Sequence, residues 1–181
     1  MREAAFFLAR TLLDLYLVIF LLRLLLQLVR ADFYNPIAQF VVRVSNPLVI
    51  PLRRLIPSIG GFDTATLIVL VMLQFGVTAI LLALIGQPFN WLMVIQFGLL
   101  RLVSLVLWFY FASLFIYVIL SWVGQRGPNP MSSLLASVNE PVLRPLRRII
   151  PPIAGLDLSP LIAILLIQAL KIALPLPGIL A

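Results

Sequence analysis

Slid along itself by 94 positions, the distance from Asn35 to Asn129, the chain falls into register with its own second half. Asn35-Pro36 lies on Asn129-Pro130, and Pro47 on Pro141. Pro51-Leu52-Arg53-Arg54 lies on Pro145-Leu146-Arg147-Arg148, and Ile56-Pro57 on Ile150-Pro151. The match continues through Ile59 and Ile153, Gly61 and Gly155, Asp63 and Asp157, and Gln74 and Gln168. Tyr16 falls on Tyr110 upstream, and no gap is needed anywhere. Whatever the first half builds, the second half must build again. Residues 1–87 and 88–181 are the two expected repeats.

What each half builds follows from its apolar stretches. Spanning about 30 Å of hydrocarbon takes roughly 20 helical residues. Four stretches approach or exceed that length, at about 5–29, 65–85, 99–123 and 159–175. Hydrophobic residues make up 63% of the chain and charged ones 10%. A soluble domain is about 45–50% apolar and 25% charged, so a water-exposed shell cannot hide this much apolar surface. A soluble enzyme is thereby excluded. The chain has no Cys and no His, which removes disulfides, thiolate and imidazole metal ligands, and Cys/His or Ser/His catalysis. No catalytic residue, metal site or cofactor is expected. The first stretch carries Arg10, Asp14 and Arg23 with no small-residue cleavage site after it. It reads as a retained helix and not a signal peptide.

The expected fold is an all-α membrane protein with four transmembrane helices, arranged as two parallel repeats of helix, amphipathic link and helix. Two spans per repeat give both repeats one orientation, related by an axis along the membrane normal. The links over 30–64 and 124–158 carry eight of the 13 basic residues, and the link over 86–98 carries none. Basic links belong on the cytoplasmic side. In a bacterial inner membrane both termini and the middle link then lie in the periplasm. The net charge of +7 comes from twelve Arg and the single Lys171 against six acids. No lysine-rich solvated face is present to carry it onto nucleic acid, so none is expected as a partner.

Prolines set the local structure of the links. Asn35-Pro36 and Asn129-Pro130 are turn or helix-start signals, and short amphipathic helices are expected after them over 37–44 and 131–138. Pro51, Pro57, Pro145 and Pro151 each remove a helical hydrogen bond and clash with the preceding turn. The segments after those helices are therefore expected as short broken pieces in the cytoplasmic interface, or covered by other helices.

Two groups of polar residues are candidate sites. Arg53 and Arg54 precede Asp63 by about ten residues, as Arg147 and Arg148 precede Asp157. Guanidinium groups grip phosphates through paired N–H donors, so each unit suits an anionic headgroup or a docking partner. The plainer alternative makes the arginines interface anchors and the aspartates helix N-caps. The second group is intramembrane: Arg10, Asp14, Gln74, Gln168 and Lys171. Arg10 and Asp14 are one turn apart and able to pair. Asp14 and Lys171 fall at similar depths, so they pair across the first and last spans, or Lys171 snorkels outward near its helix end. Arg23 is expected to snorkel to the cytoplasmic interface. Gln74 and Gln168 are expected to hydrogen-bond between helices. Trp91 and Trp122 suit the interfacial belts, and the run Trp108-Phe109-Tyr110-Phe111 suits lipid contact and packing.

The duplicated block at Pro47–Asp63 and Pro141–Asp157, centred on Pro-Leu-Arg-Arg-(Leu/Ile)-Ile-Pro with a following Gly-(Phe/Leu)-Asp, resembles the YggT family of small bacterial and plastid membrane proteins. The resemblance covers nearly the whole chain and matches the two-copy bacterial members. It implies a multi-pass inner-membrane protein. For bacterial members it implies a part in osmotic-shock tolerance and potassium homeostasis. For other relatives it implies cell division, nucleoid organisation or haem attachment in a cytochrome complex.

Two functions stay open on the sequence. One is a contribution to ion balance under osmotic stress, where a direct potassium path requires an oligomer lined by Asp14, Gln74 and Gln168. The other is a non-transporting scaffold or assembly factor that docks partners through its Arg/Pro-rich cytoplasmic links. The expected partners are the bilayer, anionic lipid headgroups, and a second copy of the chain or another membrane protein.

Overall fold

A computed structural model describes residues 2–58, 60–123, 129–150, 157–177 and 180. They form six helices, α1 (Arg2–Leu28), α2 (Pro36–Leu55), α3 (Thr64–Leu84), α4 (Trp91–Val123), α5 (Pro130–Ile149) and α6 (Ser159–Ala173), and no strand occurs among the described residues. Helices α1, α3 and α4 are long and apolar enough to cross a membrane. Helix α6 has 15 residues and falls short of a full span by itself, since it rises about 22 Å at 1.5 Å per residue.

Helix α4 begins at Trp91, eight residues before the expected start. The link before it shrinks to a short turn. Nothing in Trp91–Gly98 opposes a helix, and Asn90 starts it by accepting from the Leu92 N–H at 2.9 Å. Helix α6 stops at Ala173, just before Pro175 and Pro177.

Helices α2 and α5 correct the expectation of broken links. Each is one continuous 20-residue helix, with Pro47 and Pro51 inside α2 and Pro141 and Pro145 inside α5. Asn35 and Asn129 cap their N-termini, accepting from the amides of Ile37 and Met131 at 2.9 and 2.8 Å. Ile56 and Ile150 close their C-termini. The prolines of each pair lie four apart and are exposed, whereas Ala38, Val41, Ser45 and Val49 form the buried face of α2. Each proline frees the carbonyl one turn back on its own side of the helix. The lost bonds thus fall on the exposed outward face, and the packed face stays intact. Pro57 follows the cap of α2. Arg126, Pro151, Ile153, Gly155 and Ile59 lie outside the described residues.

Packing is mostly within halves. Helices α1, α2 and α3 touch one another, as do α4, α5 and α6, and the principal seam between the sets is α3 against α4. Gly98 of α4 makes that seam close: a Cβ there would meet the Phe75 ring of α3 at 2.3 Å. At the N-terminal ends of the link helices, the Asn35 side chain donates to the Pro130 carbonyl at 2.6 Å. Among the described residues α1 and α6 do not touch. The second half of α1 supplies the core residues Leu17, Phe20, Leu21, Leu24, Leu25 and Leu26, while Phe7, Leu8, Leu12 and Leu15 in its first half are exposed. The bundle is therefore tight at the end carrying α2 and α5 and open at the other.

Candidate functional site

At the open end, three charged side chains meet. Asp14 of α1 accepts from Arg101 Nη2 of α4 at 2.5 Å and lies 3.6 Å from Arg10 Nε, one turn earlier on its own helix. Arg101 is 4% exposed, and its Nη1 donates to the Leu180 carbonyl at 2.7 Å. The chain beyond α6 thereby folds back onto α4. Lys171 does not pair with Asp14; its ammonium stands 5.4 Å from the centroid of the Phe111 ring, a cation–π contact. The expected bridge to Asp14 is therefore not made, and Lys171 is half-buried near the end of its helix. Arg10, Asp14, Arg101 and Lys171 line one cleft of about 470 Å³ between α1, α4 and α6.

Arg101 is not among the residues singled out by the sequence. Because the helix starts at Trp91, Arg101 lies ten residues inside it. The signal was available in the uncharged, helix-compatible run 91–98.

The tight end holds a second buried cation. Arg23, expected to snorkel, is 6% exposed. Its Nη1 donates to Ser45 Oγ at 2.7 Å, Asn46 Oδ1 at 2.9 Å and the Val42 carbonyl at 3.4 Å. These acceptors lie on the turn of α2 before Pro47, so the arginine clasps the proline-containing helix to α1. Arg23 also lies 3.9 Å from Asp63. Asp63 is the N-cap of α3: it accepts from the Thr66 amide at 3.2 Å and its hydroxyl at 2.7 Å, and it is bridged by Arg53. Burial pushes the Asp63 carboxyl up, but the Thr66 hydroxyl and amide and the Arg53 guanidinium outweigh this and hold it below the usual carboxylate range.

The matching positions of the second half build a different cluster. Arg147 Nε donates to Asp157 at 2.8 Å and its Nη1 to Glu140 at 2.8 Å. Asp157 accepts from the Ser159 amide at 2.9 Å, although Leu158 occupies the cap position itself. Burial raises the Asp157 carboxyl, and Arg147 and the Ser159 amide bring it below its ordinary value. Tyr117 stands where the first half has Arg23, and Glu140 where it has Asn46. The first cluster thus has two cations on one carboxylate, and the second has one cation between two. In the first, Arg23 and Asp63 are buried and only Arg53 is exposed, whereas every member of the second is partly exposed. Arg54 and Arg148 are exposed and stand outside both clusters.

Gln74 is buried, and its amide donates to Thr78 Oγ1 at 3.3 Å within α3 itself. It does not reach another helix, and Gln168 on α6 is half-buried. Within one chain, neither glutamine lines the cleft that holds Asp14. Trp91 and Trp122, at opposite ends of α4, are 70% and 82% exposed, as belt residues are.

The CCB3/YggT family model matches the chain twice, over residues 2–85 and 96–177. The two matches begin 94 residues apart, the shift at which the sequence repeats. The chain belongs to the CCB3/YggT family. Among its relatives, a protein of Pseudomonas aeruginosa is 42% identical over 93% of this chain and 86% of its own. The Escherichia coli K12 protein YggT is 39% identical over 91% of this chain and 86% of its own. A protein encoded in the proC 3′ region of Vibrio alginolyticus is 44% identical over 90% of this chain and 88% of its own. No solved structure matches the chain.

Proposed function

We propose that this CCB3/YggT protein is a four-span bacterial inner-membrane protein of two parallel repeats, residues 1–87 and 88–181. It acts as a non-transporting scaffold that docks partners and anionic headgroups on its cytoplasmic face. On this reading it serves osmotic tolerance and ion balance indirectly, without conducting ions. The repeat is supported by α2 and α5, which have equal length, matched Asn caps and matched proline pairs. Helix α6 serves as the fourth span together with the apolar chain that follows it, a reading supported by its packing against α4 and by the Leu180 carbonyl bonded to Arg101. Docking is supported by the outward faces of α2 and α5, where Arg43, Arg54, Arg144 and Arg148 alternate with exposed Phe40, Leu48, Leu55 and Ile149.

The observation that carries the non-transporting reading is the state of Asp14. A carboxylate lining a cation path must offer its charge to the ion, but Asp14 is neutralised by Arg101 and Arg10. With Lys171 beside them, the cleft is net positive and repels potassium. Purified protein at high density in liposomes is therefore expected to pass no potassium above the protein-free leak. Selective potassium flux under those conditions overturns the reading.

Topology is checked separately with reporter fusions. Fusions at Arg43 and Arg144 are expected to report cytoplasm, and fusions at Gln87–Asn90 periplasm, because the basic residues gather in the two long links. The opposite pattern would place the docking helices on the wrong face.

A further inference from the structure

We infer that the cleft between α1 and α6 is a binding site for an anionic phospholipid, whose headgroup phosphate sits among Arg10, Arg101 and Lys171. The first ground is charge. These three cations face one carboxylate, Asp14, in a cleft among membrane-spanning helices. Cations in such surroundings gather counter-charge because leaving them unpaired is costly. Arg101 is 4% exposed, and its Nε lacks a hydrogen-bond partner. Lys171 makes no salt bridge among the described residues, only the contact with the Phe111 face.

The second ground is shape. Among the described residues α1 and α6 make no close backbone contact, and the cleft lies in the gap between them, walled by α1 and α4 with Lys171 of α6 on its edge. Phe7, Leu15, Val18, Leu105 and Trp108 give it apolar walls beside the charged group. Its volume of about 470 Å³ is that of a small-ligand pocket, roughly 300–1,000 Å³. That is too little for a whole phospholipid. It suits a phosphate and the start of an acyl chain, with the remainder lying in the bilayer. A soluble anion would use the charges and leave the apolar walls without a role. The site is at the end of the bundle opposite the arginine pairs of α2 and α5, and it does not depend on what those helices dock.

The test uses Trp108 as the reporter, in a Trp91→Phe/Trp122→Phe background. The protein is reconstituted into vesicles containing chain-brominated phosphatidylglycerol or chain-brominated phosphatidylethanolamine at equal mole fraction. Phosphatidylglycerol is expected to quench with about tenfold preference, the ratio that one well-placed desolvated charge contact supports. Arg10→Gln/Lys171→Gln is expected to abolish the preference. Ser104→Phe, which fills the cleft without removing a charge, should lower quenching by both lipids and gives a second reading if the charge variant misfolds. Equal quenching by the two lipids in the parent protein overturns the inference, as does a preference that survives both variants. A preference removed by millimolar inorganic phosphate also overturns it, by assigning the cleft to a soluble anion.

Discussion

Asp14→Asn is expected to destabilise the protein by about 3–5 kcal/mol, the cost of leaving a buried cation without its partner. The cation is Arg101, held between α1 and the returning tail at 4% exposure with its guanidinium fixed by Asp14 and the Leu180 carbonyl. Arg10 and Lys171 are partly exposed, and long basic side chains in such places can turn their heads toward water. Arg101 lies too far inside α4 to do the same. Replacing Asp14 and Arg101 together by Leu removes both charges and should recover much of the loss, since a matched apolar pair is often as stable as a buried ion pair. Unfolding in mixed micelles by increasing SDS, followed by tryptophan fluorescence, measures Asp14→Asn, the double Leu variant and its two single Leu variants. The coupling between the two positions follows from the cycle. An Asp14→Asn protein as stable as the parent would show that Arg101 does not need the carboxylate.

The second large effect compares matched positions. Asp63→Ala is expected to cost about 3–5 kcal/mol, because it removes the cap of α3 and leaves the buried Arg23 without its carboxylate. Asp157→Ala should cost about 1 kcal/mol or less, since its partner Arg147 keeps Glu140 and both remain near water. The exposures that decide this are 2% for the Asp63 side chain and 38% for that of Asp157. Acidification should show the same difference. Both carboxyls are held below their ordinary range when folded, so the stability they supply is complete above the unfolded carboxylate value of about 3.9. It is lost as the pH falls further, through the lowered folded value. Asp63→Ala should flatten this acid-side loss more than Asp157→Ala. Equal costs for the two substitutions would mean that the buried and exposed clusters are energetically alike.

The apolar stretches and the 94-residue shift made α1, α3 and the starts of the link helices legible, because those signals are local. Two things were not legible. Proline chemistry alone predicts a break at Pro47 and Pro51. Whether a helix tolerates a proline depends on which face carries it and on what holds the other face, and here the holder is Arg23, from a different helix. Arg101 was hidden for the opposite reason. Its surroundings are apolar on both sides, so its depth depends wholly on where α4 starts. Its partner lies 87 positions away, beyond the reach of any spacing rule. Single charges in a membrane chain are local in sequence, but their meaning is tertiary.

The packing of each half on itself has a consequence for how the chain is made. Synthesis proceeds from the N-terminus, and α1, α2 and α3 emerge as a set whose members already touch one another. The Arg23 clasp and the Asp63 bridge both close within this set, so its buried charges are neutralised before α4 leaves the ribosome. Asp14 is different. Its interhelical partner, Arg101, arrives with the fourth helix, and until then Arg10, one turn away, is its nearest counter-charge. The local pair is thus a holding arrangement for an unfinished protein, and the distant pair closes it.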